Sequence, residues 1–206
     1  MLFFESTSSL ANTIFIDPNW LLKVVLGRAL CPEGIEPGGF RPRNGEVSWS
    51  DIEVAFEGTG IAPQLVVDVL RGAHLCFEVC ERDGQRHFML PSRLTEDAVL
   101  EEAWQPQPDK WAGYGGQRLV LGDAALVFPA GFFARVQAKL YESFGDTLQL
   151  WRDAFAALVG GAECFGLCRS DQEVNVWVRW LDDADCSAWY LLNEVSCHAV
   201  WVLEDG

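Results

Sequence analysis

The chain has 206 residues, of which 50% are hydrophobic and 22% charged, so it can bury the core of one or two compact domains. Its net charge of −15 argues against nucleic acid or an anionic membrane surface as partner, because binding there depends on clustered Lys and Arg. No apolar run approaches the ~20 residues of a membrane-spanning helix, and no basic residue precedes Glu5 to suggest a secretory signal. We therefore expect a cytoplasmic protein without nucleic-acid binding or membrane insertion.

The first half, residues 1–94, predicts an α+β unit. Pro18 follows Asp17 as the first residue of a helix that extends to about Leu30. Ser50 and Glu53 form a capping-box pattern at the start of a short helix. The other predicted elements are a strand at 13–16, a loop at 31–46, a helix at 64–71 and a hairpin of strands 75–80 and 86–90. This order of elements suggests a winged-helix-like unit.

Residues 95–116 hold an acidic cluster, two prolines and three glycines, and predict a linker between two domains. The second half, residues 117–206, predicts a mainly antiparallel sheet covered on one face by two helices. Its expected strands are a hairpin at 118–121 and 125–128, followed by strands within 148–159, 162–168 and 174–181. The first of the two helices starts at Pro129, ends at Gly145 and has an apolar stripe of Phe132, Val136, Leu140 and Phe144. The last helix has an apolar stripe of Ala188, Leu191, Leu192, Val195 and Ala199.

The motifs of catalysis and cofactor binding are mostly absent from the sequence. None of the three lysines follows a glycine, which excludes a phosphate-binding G-x-x-x-x-G-K-[ST] loop. The three histidines have no paired spacing. Asp182, Asp183 and Asp185 could bind a metal, but negative charge at a helix start is the simpler interpretation. We predict no catalytic residue, no cofactor and no metal.

The seven cysteines leave one enzymatic alternative open. Cys76 with Cys80, and Cys164 with Cys168, are each four residues apart in a predicted strand, which spans about 13 Å. That distance is too long for a disulfide or for one shared zinc, so these residues are predicted to be small apolar side chains. The alternative is a cysteine-dependent enzyme with Cys76 or Cys164 as the nucleophile, because a histidine partner can be distant in sequence.

The predicted strand near the C-terminus carries a possible partner surface. One face alternates valines with Trp180, whereas the other face presents Trp177 between polar residues that include Arg179. Trp177 is either covered by an adjacent strand's side chain, such as Trp151, or available to a partner. Tryptophan is enriched at interface hot spots, and the chain has nine. Trp151, Trp177 and Arg179 are therefore candidate interface residues.

Several segments, in the same order along the chain, resemble the COR (C-terminal of Roc) domain of Roco proteins. The early segment Phe3-Phe4 and Ile14-Phe15-Ile16-Asp17-Pro18-Asn19-Trp20-Leu21 is similar to a strand that runs into an aspartate-proline-x-tryptophan-leucine helix start. Phe88-Met89-Leu90-Pro91-Ser92 resembles the close of the first COR half, and the run from Phe128 to Gln137 resembles a helix start in the second. Leu150-Trp151-Arg152 and the following strands look most like the COR region of death-associated protein kinase and its relatives.

The resemblance implies a non-catalytic scaffold that forms homodimers and couples to a Ras-like Roc GTPase, in cis in a longer parent chain or in trans. The family's early COR helices would precede Phe3, so the first half is expected to be truncated. The alternative of another class is a winged-helix DNA-binding protein. Its recognition helix would be residues 64–71, which carry a single arginine, Arg71, together with Asp68.

Overall fold

The structure, a computed structural model, describes residues 17–30, 44–73, 75–82, 84–95, 110–123, 126–129 and 131–204. The chain is α+β and divides into two compact units, Met1–Leu94 and Thr95–Gly206. The predicted strand at 13–16, the predicted loop as far as residue 43, and residues 96–109 of the predicted linker lie outside the described residues.

The first unit combines helices with a three-stranded antiparallel sheet. Helix α1 is one helical segment made of Pro18–Trp20, a π-helical stretch Leu21–Leu26, and Gly27–Leu30. Helix α2 is Trp49–Phe56 and helix α3 is Pro63–Gly72. Strands β1 (Glu46–Ser48), β2 (Phe77–Arg82) and β3 (Gln85–Met89) form the sheet in the order β1-β3-β2.

The helices and the sheet of the first unit share one apolar core. Each helix contributes residues spaced three or four apart, which places them on one side of the helix. Burying such a side chain contributes about 1.5–3 kcal/mol. The buried members of this core include Val25, Ala29, Ile52, Phe56, Val66, Val69, Leu70 and Phe88.

Helix α2 begins two residues earlier than the sequence pattern predicts. Ser48, with extended backbone angles, is the N-cap, and its Oγ accepts a hydrogen bond from the backbone N–H of Asp51 at 3.2 Å. The carboxylate of Asp51 in turn accepts a hydrogen bond from the backbone N–H of Ser48 at 2.9 Å, which completes the capping box. The predicted cap, Ser50, instead lies inside the helix and donates to Gln85 at 2.9 Å. The predicted box at Ser50 and Glu53 was therefore wrong because an overlapping S-x-x-D pattern caps the helix first.

The second unit is a five-stranded antiparallel sheet with two helices. The strands are β4 (Gly113–Val120), β5 (Leu148–Leu150), β6 (Ala154–Val159), β7 (Ala162–Ser170) and β8 (Glu173–Trp180), in the order β4-β8-β7-β6-β5. Helix α4 is Phe132–Phe144, ending at Gly145 as predicted, and helix α5 is Asp185–Glu204. Both helices pack on the sheet, as the sequence predicts.

The predicted apolar stripes of α4 and α5 are buried. On α4, the ring of Phe133 stacks on Phe155 of β6 with ring centroids 6.0 Å apart. Gln137 is fully buried beside this contact, and its Nε2 donates to the carbonyls of Trp151 and Ala154 at 2.7 and 3.1 Å. The amide therefore holds the turn between β5 and β6 against α4, with buried backbone carbonyls satisfied.

The predicted hairpin at the start of the second unit was wrong. Strand β4 pairs with β8 along its whole length, from Gly113 opposite Trp180 to Val120 opposite Glu173. Residues 126–129 form no strand, and the N–H of Phe128 donates to the carbonyl of Asp171 at 2.6 Å. Gly113–Gly116, predicted as linker, are the first half of β4, where Gly113 lies against the Trp180 ring so closely that a Cβ would clash. Non-local pairing with β8 thus replaces the local hairpin that the turn residues suggested.

Candidate interaction surface

The solvent-facing side of α5 is apolar along most of the helix. Its residues Cys186, Trp189, Asn193, Cys197 and Val200 are all exposed, and we call them the outer stripe. At 100° per residue they fall within an arc of about 80°, roughly opposite the buried stripe. Trp189 is 67% exposed and Val200 is 48% exposed. None of these five residues is charged, so their exposed area is available for hydrophobic contact. The exposed Glu204 lies on the same side in the last turn of the helix.

Two further aromatic side chains flank the outer stripe on the side of α4. Tyr190 is exposed beside the stripe, and its ring makes a T-shaped contact with the ring of Phe144, with ring centroids 6.3 Å apart. Trp201 is 41% exposed, and Nζ of Lys139 lies 4.7 Å from its ring centroid. These contacts show that α4 runs antiparallel to α5, with Lys139 near the C-terminal end of α5.

Acidic side chains mark the opposite end of α5. Asp182, Asp183 and Asp185 are exposed, and Oδ1 of Asp185 accepts a hydrogen bond from the backbone N–H of Cys186 at 2.8 Å. Negative charge here complements the positive end of the helix dipole. Among the described residues, no group of three or more His, Cys, Asp and Glu side chains is arranged to hold a metal ion.

The three interface candidates from the sequence have different environments. Trp177 is half-buried and stacks on Phe165 of β7, with ring centroids 5.6 Å apart. Trp151, which was considered as its cover, lies instead in the turn between β5 and β6, at the far edge of the sheet.

Arg179 is only 8% exposed. Its Nε donates to Glu163 at 2.7 Å, and its guanidinium lies 4.6 Å from the Trp111 ring centroid. Arg179 therefore has a role in internal packing, where an ion pair and a cation–π contact compensate for its burial. This pair and the Phe165–Trp177 stack lie on the sheet face opposite the valines of β8.

A serine, a histidine and a glutamate meet between α4 and α5. Oγ of Ser143 lies 2.9 Å from Nε2 of His198, and Oε2 of Glu194 lies 3.3 Å from the same nitrogen. A catalytic triad requires the carboxylate at the other ring nitrogen, where it fixes the tautomer and leaves Nε2 to act on the hydroxyl. Here the serine hydroxyl and the glutamate carboxylate both contact Nε2 of His198, so the three side chains form a polar contact between two helices and lack the geometry of a triad.

The cysteines considered as nucleophiles are buried. Burial raises the pKa of Cys76 to about 12, with a smaller opposing effect from Arg71. Burial also raises the pKa of Cys164, whose side chain is fully buried in β7. The pKa of Cys168 is raised to about 11, mainly by burial. Because the thiolate is the reactive form, these environments disfavour nucleophilic chemistry. The side chain of Cys80 lies outside the described residues.

The surface of the first unit is organised around Arg86. Its guanidinium carbon lies 5.2 and 5.1 Å from the ring centroids of Trp49 and Phe88. Its Nε donates to Glu78 at 2.7 Å, and this hydrogen bond lowers the pKa of Glu78. Arg71 forms an ion pair with the same carboxylate at 3.4 Å. The cationic groups at this surface are therefore matched by an anion and an aromatic ring.

Helix α3, the candidate recognition helix of the DNA-binding alternative, has few groups that suit a phosphate backbone. Four of its side chains, Val66, Val67, Val69 and Leu70, are buried. Its exposed positions carry Gln64, which donates to Asp68 at 2.7 Å, and Arg71, which is paired with Glu78. A recognition helix needs unneutralised Lys or Arg toward the duplex.

Sequence reasoning missed the outer stripe, although a signal for it was present. The buried stripe of α5 was found from its spacing, but Trp189, Tyr190, Val200 and Trp201 occupy the positions that a surface helix normally fills with charge. A helix that is apolar all round is typical of a buried helix, whereas these side chains are exposed here. An all-round apolar helix whose outer side is nevertheless exposed therefore identifies the outer stripe as a candidate interaction surface.

No protein-family model matches the chain. Within the part of the chain that the structure describes, no helix has both the length and the apolar character needed to cross a bilayer.

Proposed function

We propose that this chain is a non-catalytic interaction module of the COR type, whose C-terminal unit brings two copies together. The observation that carries the proposal is the exposed, uncharged outer stripe of α5, bordered by Tyr190 and Trp201. Contiguous apolar patches that are exposed on a protein surface commonly mark contacts with other proteins. Tryptophan is also the residue most enriched at interface hot spots.

The first unit supports the COR assignment through its topology. Helix, strand, helix, helix, strand and strand follow one another, and the sheet order is β1-β3-β2. A winged-helix unit has this order of elements and strands. With α3 lacking free cations, such a unit is better suited to protein contact than to DNA. The partner that the COR resemblance implies is a Ras-like Roc GTPase, supplied in cis or in trans, in the cytoplasm.

A matched pair of valine substitutions tests the proposal. Val200 on α5 and Val54 on α2 are both exposed helical valines, at 48% and 60%. In sedimentation equilibrium of the full chain, we expect the wild type and Val54→Glu to associate at micromolar concentration. Val200→Glu should weaken association at least tenfold, because a carboxylate would be desolvated in the contact. Circular dichroism should show both variants folded.

Two results would contradict self-association through α5. One is a wild-type chain that stays monomeric up to about 100 μM, alone and with a cognate Roc domain. The other is a Val200→Glu variant that associates as tightly as Val54→Glu.

A further inference from the structure

We propose that the outer stripe pairs with the outer stripe of a second copy, the two α5 helices running antiparallel with Asn193 at the two-fold axis. This inference rests on the proposed function and specifies its geometry. An interface between two identical copies is isologous, so each residue must meet a compatible residue placed symmetrically about the axis.

The outer stripe has the spacing that such symmetry requires. Cys186 and Val200 lie seven residues before and after Asn193, and Trp189 and Cys197 lie four residues before and after it. In an antiparallel pair centred on Asn193, the large ring of Trp189 meets the small thiol of Cys197 of the second copy. Cys186 meets Val200 in the same way. Every apolar side chain thus faces another apolar side chain, with large and small residues alternating.

Asn193 is the polar residue of the stripe, and the axis gives it a partner. Its amide has both donor and acceptor groups, so the two copies can satisfy one another across the axis. A single buried asparagine is a known means of fixing register between two helices. Displacing the helices by one turn would place each amide against an apolar side chain, which costs free energy.

Charge also favours the antiparallel arrangement. The N-terminal end of α5 is acidic, with Asp182, Asp183 and Asp185 exposed. Parallel pairing would place these three aspartates beside the same three of the second copy, in a chain whose net charge is already −15. Antiparallel pairing separates the two acidic clusters and places each beside the C-terminal end of the other α5. That end carries one exposed carboxylate, Glu204, and Lys139, which is ion-paired with Glu142 at 2.8 Å.

The available area fits a weak dimer. With Trp189 at 67% and Trp201 at 41% exposure, the two rings together expose about 250 Å² per copy, roughly the area of one whole tryptophan. Cys186, Tyr190, Cys197 and Val200 add to this area. The total remains below the roughly 800 Å² per partner of a standard stable complex, so we expect dissociation in the micromolar range.

Disulfide trapping in the full chain tests the geometry. In a parent with Cys186→Ser and Cys197→Ser, adding Asn193→Cys places one thiol from each copy at the axis, and mild oxidation should yield covalent dimers. Cys197→Ser alone retains Cys186, which lies seven residues from the axis, so the two Cys186 thiols would be about 21 Å apart and should not join. The double-serine parent measures background from the other cysteines.

Each outcome decides the inference. Trapping through Asn193→Cys without trapping through Cys186 supports the antiparallel pair. Efficient trapping through Cys186 indicates parallel helices and overturns it. Dimers in sedimentation that neither thiol traps also overturn it, while leaving the proposed function standing on another face. A wild-type chain that remains monomeric overturns both.

A charge reversal gives a second readout that does not depend on cysteine chemistry. Asp182 and Glu204 are exposed and lie eleven residues before and after Asn193, so they are opposed across the antiparallel pair. Glu204→Lys should therefore strengthen dimerisation about two- to fivefold, and adding Asp182→Lys should cancel the gain. Both effects should diminish at high salt. A gain that is absent at low salt, or that persists with Asp182→Lys, would contradict the antiparallel arrangement.

Discussion

The two units differ most in what their surfaces leave exposed. Among the described residues, Val54 is the only large hydrophobic residue of the first unit that is exposed, whereas the second unit exposes eleven, five of them on α5. The aromatic Trp49 in the first unit is covered by Arg86, which Glu78 holds in place. The comparable Trp189 on α5 has no such cover. The difference shows that the exposed large hydrophobic side chains are concentrated in the second unit, with the largest group on α5, where a partner can contact them.

The largest expected effect is in thiol labelling, which compares the exposed thiols of α5 with a thiol buried in each unit. Burial raises the pKa of Cys76 to about 12, so at pH 7 this thiol stays protonated and unreactive. Burial adds to this protection. We expect maleimide to modify Cys186 and Cys197 within minutes at low protein concentration and to leave Cys76 and Cys164 unmodified, as followed by peptide mass spectrometry. Rapid modification of Cys76 or Cys164 would revive the cysteine-enzyme alternative.

Substitutions on the two sides of α5 should separate stability from association. Leu191→Ala removes a fully buried side chain and should lower the free energy of unfolding by about 2–5 kcal/mol. Val200→Ala on the outer stripe should change it by less than about 0.5 kcal/mol. Urea denaturation, at concentrations below those of association, measures both. Equal losses would mean that the outer stripe is part of the core.

The smallest expected effect concerns the ion pair of the first unit. Because Arg86 lowers the pKa of Glu78, the folded state releases this proton more readily, so the stabilisation is present above the ordinary carboxyl pKa and is lost as pH falls. The side chain is partly exposed, so Glu78→Gln should cost about 0.5–1 kcal/mol at pH 7 and nearly nothing at pH 3. Urea denaturation at both pH values checks this. The exposed Glu57→Gln is the control, and a loss that persists at pH 3 would refute the charge effect.

Local sequence signals predicted those parts of the fold that are determined locally. The spacing of Phe132, Val136, Leu140 and Phe144 identified the buried side of α4, and Gly145 identified its end. Alternation identified the buried face of β8 through Val174, Val176 and Val178. In each case one repeat period decides which residues are buried.

Non-local features were missed because neighbouring residues do not encode them. The turn-forming Gly122 and Asp123 suggested a hairpin, yet β4 pairs with a strand some sixty residues later. The same reason explains Arg179, whose burial depends on Glu163 in β7 and on Trp111. The outer stripe was missed for a different reason. Its residues are neighbours in sequence, but apolar side chains on two sides of a helix predict a fully buried helix, and only the fold shows that one side of α5 stays exposed.

The most direct test of the central claim is the rate at which Cys197 is alkylated as protein concentration rises. Cys197 lies within the surface that a second copy is proposed to cover, and a thiol introduced by Val54→Cys at an exposed position of the first unit provides a reference. We predict that Cys197 labelling slows severalfold between about 1 and 100 μM while the reference rate stays constant. A Cys197 rate that is independent of concentration would contradict the account.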